Sequence, residues 1–267
     1  MSDSLVHAVL GKDPGALRPD VSLATPLTLA RIVGRDLVVK ALTAYADVLG
    51  ATDAGLHLDG EELEGAVLTT TIDGHVAQVM AVVTHDGAGL IATIDMYGRP
   101  WPYMALVRDR LAGIEPALAD PDLGTVPYVP DGPGTTWIEA PAIPALAENV
   151  AFHSPVLTAT ATGKYLNERI LTAASEVYGE QRFRAVLQVD GHQAIAGVFD
   201  GVVNGNVLQL VAIFGLNDAG EISDIRLFSR PWPVTAYFRA QMYDLLRDVL
   251  GPEYWQGPSP QAPLPIR

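Results

Sequence analysis

Apolar positions along this chain fall into blocks whose period switches between helical and strand-like. Val21-Ser22-Leu23-Ala24-Thr25-Pro26 alternates and stops at a proline, which predicts a short strand. Leu37, Ala41, Leu42, Tyr45, Val48 and Leu49 then recur at helical spacing. A helix is expected from about Asp36 to Leu49, closed by Gly50. Strands follow at roughly Gly65–Ile72, His75–Thr84 and Leu90–Tyr97, with Asp73-Gly74 and Asp86-Gly87 as turns and a weaker early strand at His57–Leu63. Residues 1–20 carry few pattern signals beyond a turn at Lys12-Asp13-Pro14-Gly15.

The same order returns 129 positions later. Val150-Ala151-Phe152-His153-Ser154-Pro155 stands for the first strand, and Leu166, Ile170, Leu171, Val177 and Tyr178 form the helical stripe before Gly179. Strands are expected at roughly Arg182–Val189, Gln193–Val203, Asn206–Gly215 and Glu221–Ser229, with Asn204-Gly205 as a hairpin turn. Here the offset is 131, pairing Gly74 with Gly205, Gln78 with Gln209 and Ile94 with Ile225. Each run of strands ends in Arg-Pro-Trp-Pro, at 99–102 and again at 230–233. Proline closes a strand and also suits the first turn of a helix. A helix is expected over Val234–Leu250, with a shorter counterpart over Tyr103–Leu111 closing at Gly113.

Seven prolines between Ile114 and Glu148 predict an extended crossover, packed onto its neighbours through Tyr128 and Trp137. The expected organisation is therefore a first domain over 1–113, a Pro-rich linker over 114–148, a second domain over 149–251 and a Pro-rich tail over 252–267.

Charge and composition narrow the function classes. A net charge of −14 without a Lys/Arg cluster argues against a nucleic-acid partner. The absence of cysteine removes disulfides, thiolate metal sites and a Cys nucleophile, and fits a cytoplasmic location. Residues 1–9 do not read as a signal peptide, and no apolar run is long enough to span a membrane. No phosphate loop, Gly-x-Ser-x-Gly elbow or His-Glu-x-x-His occurs, and no two histidines have metal-ligand spacing. No cofactor and no metal are expected.

One helix laid on a curved antiparallel sheet is α+β architecture. The order of strand, proline, glycine and helix, then long strands with a hairpin turn, resembles the nuclear transport factor 2-like superfamily. That cone-shaped, cystatin-like fold includes ketosteroid isomerase, limonene epoxide hydrolase and the SnoaL-like polyketide cyclases. Val150–Val156, Gly163 and its helix, Asn217-Asp218-Ala219-Gly220-Glu221-Ile222 and the Arg-Pro after the last strand carry the likeness in the second half. The first half shares it through the repeat. The resemblance implies two tandem cones, each a curved sheet wrapped on helices, joined as an intramolecular pseudo-dimer, with further self-association left open. It implies a small, largely apolar substrate of polyketide or terpenoid kind, and cyclase, isomerase or epoxide-opening chemistry. The alternative is a non-catalytic small-molecule-binding or interaction protein with degenerate sites. By the same resemblance, the isomerase's general-base Asp corresponds to Thr25 and Ser154, and its protonated Asp to Gln78 and Gln209. The isomerase's N-terminal tyrosine helix is shortened or missing. The acid/base set of the isomerase is thus largely replaced.

The expected catalytic groups are Gln78 or Gln209, orienting an oxygen, and Asp95 or Asp200, moving a proton. An acid among apolar strand neighbours can have its pKa raised. Asp95 has Arg226 as its counterpart, so an ion pair between the halves is the competing reading. Thr25, Phe152, Ser154, Arg99, Arg230, Trp101 and Trp232 are the expected substrate contacts, although packing is the commoner role for a corner tryptophan and ion pairing for a strand-end arginine. His153 reads as structural, facing away from Ser154, and His75, His85 and His192 as turn residues.

Overall fold

The computed structural model describes residues 2–50, 53–60, 63–120, 122, 124, 126–127, 137–179, 181–189 and 194–256. Tyr128, His192 and the tail beyond 256 lie outside the described residues. The first half runs α1 (Ser2–Val9), β1 (Leu17–Ala24), β2 (Ala30–Val33), α2 (Arg35–Leu49), β3 (Asp53–Asp59), β4 (Leu63–Ile72), β5 (His75–His85), β6 (Ile91–Arg99) and α3 (Trp101–Ile114). After a short β7 (Val126–Pro127), the second half runs β8 (Leu146–His153), β9 (Ala161–Thr162), α4 (Lys164–Tyr178), β10 (Arg182–Val189), β11 (Ala194–Val203), β12 (Asn206–Leu216), β13 (Ile222–Arg230) and α5 (Trp232–Leu246).

The pattern-derived strands and the helices after Gly34 and Gly163 fall where expected, within a few residues, except that the early strand expected at His57–Leu63 lies at Asp53–Asp59. Asp73-Gly74 and Asn204-Gly205 all have positive φ, as a two-residue hairpin of the I′ kind requires. Four expectations change. An N-terminal helix is present, burying Leu5, Ala8 and Val9 at i, i+3 and i+4. α3 is not cut short at Gly113: it runs to Ile114 and is nearly as long as α5. The proline-rich stretch carries a 3₁₀ turn at Pro116–Ala119 and the two residues of β7, and β8 begins within it. At the third turn it is Gly89, not Gly87, that takes positive φ, while the Asp86 carboxylate accepts from the amides of Ala88 and Leu90.

Strands β3–β4–β5–β6 form one antiparallel run and β10–β11–β12–β13 another. The two runs meet at both margins. β3 pairs β10 through Leu58↔Val189 and Asp59↔Gln188, and β6 meets β13 through Gly98↔Ser229. The ladder therefore closes on itself through eight strands, and the other strands extend it: β1 lies parallel to β6 and β8 parallel to β13.

Both faces of this ladder are buried, which is why β5 and β12 read as near-continuous apolar runs rather than alternating ones. One parity faces the helices: Ala77, Val79, Ala81 and Val83 of β5 join Leu42, Tyr45 and Val48 of α2 in the larger core. The other parity faces the opposite run: Met80, Val82 and Tyr97 pack with Val198, Val211, Ile213 and Phe228 in a second core.

The Arg-Pro-Trp-Pro segments bind the halves reciprocally. The amide of Trp101 donates to the carbonyl of Pro155 (2.6 Å), and that of Trp232 to Pro26 (2.7 Å). The two indoles stack with centroids 4.9 Å apart and planes 10° from parallel. Trp101 Nε1 donates to the Trp232 carbonyl at 3.0 Å. Arg108 lies over the Trp232 ring (4.7 Å) and Arg239 over the Trp101 ring (5.7 Å), closing the stack from both sides. Both Arg-Pro bonds are cis. Pro102 and Pro233 sit in the first helical turn, where the missing N–H has no helical acceptor to lose.

Truncating either stacked indole removes a buried side chain where the helix-facing core passes from one half to the other. Trp232→Ala is expected to destabilise by about 3–5 kcal/mol, and Trp101→Ala by a similar amount. Denaturant unfolding monitored by circular dichroism measures this. A loss below about 1 kcal/mol for both would contradict a stack that holds the halves together.

Candidate functional site

Register places the candidate residues in two equivalent settings. Gln78 pairs Thr69 on one side and Arg99 on the other; Gln209 pairs Asp200 and Arg230 in the same way. By parity all of these side chains lie on the face turned toward the opposite run of strands, not on the helix-facing side where the cone interior was expected. That side is packed by the chain's own Leu, Val, Ala and aromatic residues.

The setting around Gln209 is filled. Arg230 is fully buried; it donates to Gln209 Oε1 and to the carbonyls of Thr25 and Thr28, both at 3.1 Å. Asp95 accepts from Arg31, and Arg184 lies 3.9 Å from its other oxygen. Arg184 also reaches Asp200 (3.4 Å) and donates to the Tyr97 hydroxyl (3.0 Å). The expected Asp95–Arg226 pair is not made: Arg226 turns to Asp224 of its own strand. Nor is the Asp95 pKa raised. Burial pushes it up, but the guanidiniums of Arg31, Arg184 and Arg230 outweigh burial and hold it below the ordinary carboxylate value.

The setting around Gln78 is open. A cavity of about 440 Å³ lies there, between the two halves. Arg99 Nη1 donates to Gln78 Oε1 (2.7 Å), Gln78 Nε2 donates to Thr69 Oγ1 (3.0 Å), and the guanidinium lies over the Phe228 ring at 5.8 Å. Arg99 Nε is buried without a hydrogen-bond partner among the described residues. Burial, and after it the charge of Arg226, push the Arg99 pKa down to about 10, with Asp224 partly offsetting them. From the second half come His153, Thr158, Thr160 and Arg226. His153 Nε2 lies 3.1 Å from Asp224 Oδ2, and its Nδ1 lies 3.2 Å from Thr160 Oγ1. Asp224 is also bound by Arg226 Nε at 2.8 Å, and these contacts outweigh burial to keep its pKa below the ordinary value. An ionised Asp224 only accepts, so neutral His153 carries its proton on Nε2 and offers Nδ1 as the basic atom beside Thr160. His75 stacks on Tyr103 (4.6 Å, 28°) to form another wall.

The difference between the settings follows from the side chains at matching positions. Arg31 stands where the other half has Thr160, Asp95 where it has Arg226, and Ala24 where it has His153. Arg31 and Asp95 reach into the space that Thr160 leaves clear and neutralise each other there.

Of the expected site residues, Gln78 and Arg99 line the cavity. Gln209, Asp95, Asp200 and Arg230 belong to the buried network. Thr25 and Ser154 are turn caps, accepting from the amides of Leu27, Thr28 and Val156. Phe152 is core, and Trp101 and Trp232 are occupied with each other. His153, Asp224, Arg226, Thr160 and the His75–Tyr103 pair were not among the expected site residues. His153 faces away from Ser154, as strand alternation requires, and the cavity lies on that other side.

No protein-family model matches the chain, and no curated protein matches it. Among solved structures, a cystatin-like protein from Silicibacter pomeroyi is 18% identical with a TM-score of 0.39, covering 42% of this chain and 84% of its own. A steroid delta-isomerase from Pseudomonas aeruginosa is 14% identical with a TM-score of 0.39, covering 45% and 93%. A SnoaL-like polyketide cyclase from a Jannaschia species is 10% identical with a TM-score of 0.31, covering 40% and 91%. The structural neighbours are cystatin-like, nuclear transport factor 2-like, ketosteroid isomerase-like and SnoaL-like proteins. No helix among the described residues is long and apolar enough to cross a membrane.

The buried network predicts an acid-sensitive component of stability. Asp95 is ionised in the fold with a lowered pKa, so its contribution is complete above the unfolded value, about 3.9, and is lost as pH falls through the lower folded value. Asp95→Asn is expected to cost about 3–5 kcal/mol at neutral pH, because it leaves buried guanidiniums uncompensated. The penalty should shrink below about pH 4, and urea unfolding at pH 7 and pH 3 compares the two.

Proposed function

We propose that this chain is a small-molecule pocket protein whose working site is the cavity between its halves, and that it carries out proton transfer of the isomerase or cyclase kind there. The observation that carries the reading is the contrast between equivalent settings: one is sealed by ionic contacts, the other open around a histidine held on both ring nitrogens. In this reading the halves, 1–113 and 149–251, are tandem copies joined as an intramolecular pseudo-dimer. The reciprocal Trp–Pro contacts support that arrangement.

Thr160 Oγ1 passes its proton to His153 Nδ1 as it takes one from the ligand, and Asp224 balances the imidazolium charge that results. Arg99, fixed by Gln78, stabilises negative charge on a ligand oxygen. Returning the proton to a different atom completes an isomerisation. Binding without turnover is a second reading, favoured by Thr25 and Ser154, which serve as turn caps where an acid would be expected to act.

Native mass spectrometry of protein purified from its own cells should find a small molecule bound to the wild type and lost in Thr160→Trp, which fills the cavity mouth. With that molecule as substrate, His153→Gln should lower turnover about a hundredfold or more while binding stays within a few-fold. Unchanged turnover removes the histidine from the mechanism. Absence of turnover in the wild type selects the binding reading, and a ligand that survives Thr160→Trp overturns both.

A further inference from the structure

Resting on that pocket reading, we infer that the ligand is a small organic carboxylate, held by its carboxylate between Arg99 and Arg226, with a planar, unsaturated body lying along the His75–Tyr103 wall. The first ground is the charge of the lining. The chain holds 31 acidic residues against 17 lysines and arginines, yet two arginines, two histidines and no aspartate or glutamate line this cavity among the described residues. A cationic concavity in an acidic protein concentrates anions at one place.

The second ground is unused donor capacity. Arg99 spends one nitrogen on Gln78, while its Nε is buried with no partner among the described residues. The guanidinium also lies over the Phe228 ring, which supplies no carboxylate. Arg226 uses Nε on Asp224, which leaves its terminal nitrogens for other acceptors. Two guanidiniums that face one cavity repel each other, and a carboxylate between them relieves that repulsion while accepting from both. The filled setting offers an internal comparison. There a carboxylate supplied by the protein itself, Asp95, takes the place matching Arg226 and lies among Arg31, Arg184 and Arg230. In the open setting the protein's carboxylate, Asp224, is bound to Arg226 Nε and His153 and does not line the cavity, so the place between the two guanidiniums is left to the ligand.

The third ground is shape. At about 440 Å³ the cavity suits a molecule with one ring and a short side chain rather than a bare inorganic anion. The stacked His75 and Tyr103 rings offer a flat wall to such a body, and the Thr158 and Thr160 hydroxyls, whose protons go to backbone carbonyls and to His153 Nδ1, offer their oxygens to a ligand donor. This sharpens the expected ligand from largely apolar to anionic at one end and flat at the other.

The test uses the full chain with benzoate and cinnamate, their neutral isosteres benzamide and cinnamamide, and inorganic phosphate. Binding is read by titration calorimetry and by the NMR shifts of the His75 and His153 ring protons. The carboxylates are expected to shift both rings and to bind at least tenfold more tightly than the amides, with affinity falling as salt rises. Arg226→Gln, at a partly exposed position, and Arg99→Gln should each weaken carboxylate binding about ten- to a hundredfold with melting temperatures recorded alongside. Amides that bind as tightly as the acids overturn the carboxylate assignment and leave the pocket reading intact. Phosphate binding as tightly as benzoate overturns it in favour of a general oxyanion site. If no probe moves either ring, the assignment fails, and the co-purified molecule of the wild type judges the pocket reading independently.

Discussion

The stacking of Trp101 on Trp232 is the contact on which the rest of this architecture depends. Each indole comes from one half, and each backbone amide beside it is used by the strand-ending proline of the other half. A buried amide without a partner is costly, so neither half satisfies its own segment unless the other is in place. The arginines that cap the stack, Arg108 and Arg239, come from the helices that the segments initiate. Strand end, helix start and inter-half contact are thus one structural unit. Its position explains why β6 and β13 meet beside it, at Gly98 and Ser229, and why the helix-facing core is continuous between the halves.

Once the halves are fixed face to face, polar residues on the inward parity of each sheet must be answered by each other or by something that enters. The two settings resolve this differently. Around Gln209 the protein answers its own charges: Asp95 and Asp200 are distributed among Arg31, Arg184 and Arg230, and little space remains. Such a network is costly to desolvate and tolerable only when each charge finds a partner. Around Gln78 the partners are smaller, with Thr160 and Thr69 where the other half has Arg31 and Asp200, and a cavity lined by cations stays open. The matching positions of the two settings thus differ in side-chain size and charge, and one setting ties the halves together by ion pairs while the other stays open.

Much of the fold was legible from the chain. Hydrophobic period located the strands and the paired helices, positive-φ turn chemistry located the hairpins, and the recurrence of Arg-Pro-Trp-Pro exposed the correspondence between halves. These are local signals, carried by spacing within a few residues. α1 was not read from the sequence: Leu5, Ala8 and Val9 make only a single turn of pattern, which is weak against a polar background.

The site was less legible, because its composition depends on which sheet face meets which partner. The sequence showed that Gln78, Gln209, Asp95 and Asp200 were polar intrusions in apolar strands. It could not show that their parity faces the opposite sheet, since both faces of these strands are buried and the usual inside–outside alternation is lost. Equivalent glutamines likewise look equivalent in a sequence. Only the tertiary structure makes one the neighbour of a fully buried Arg230 and the other the wall of a cavity, because residues more than fifty positions away, Arg31 for one and His153 with Thr160 for the other, arrive from parallel strands and loops beside the ladder. What the sequence determined by itself was the elements and the recurrence of their motifs; what the fold decided was which of two identical-looking settings remained open, and long-range side-chain volume and charge are the reason.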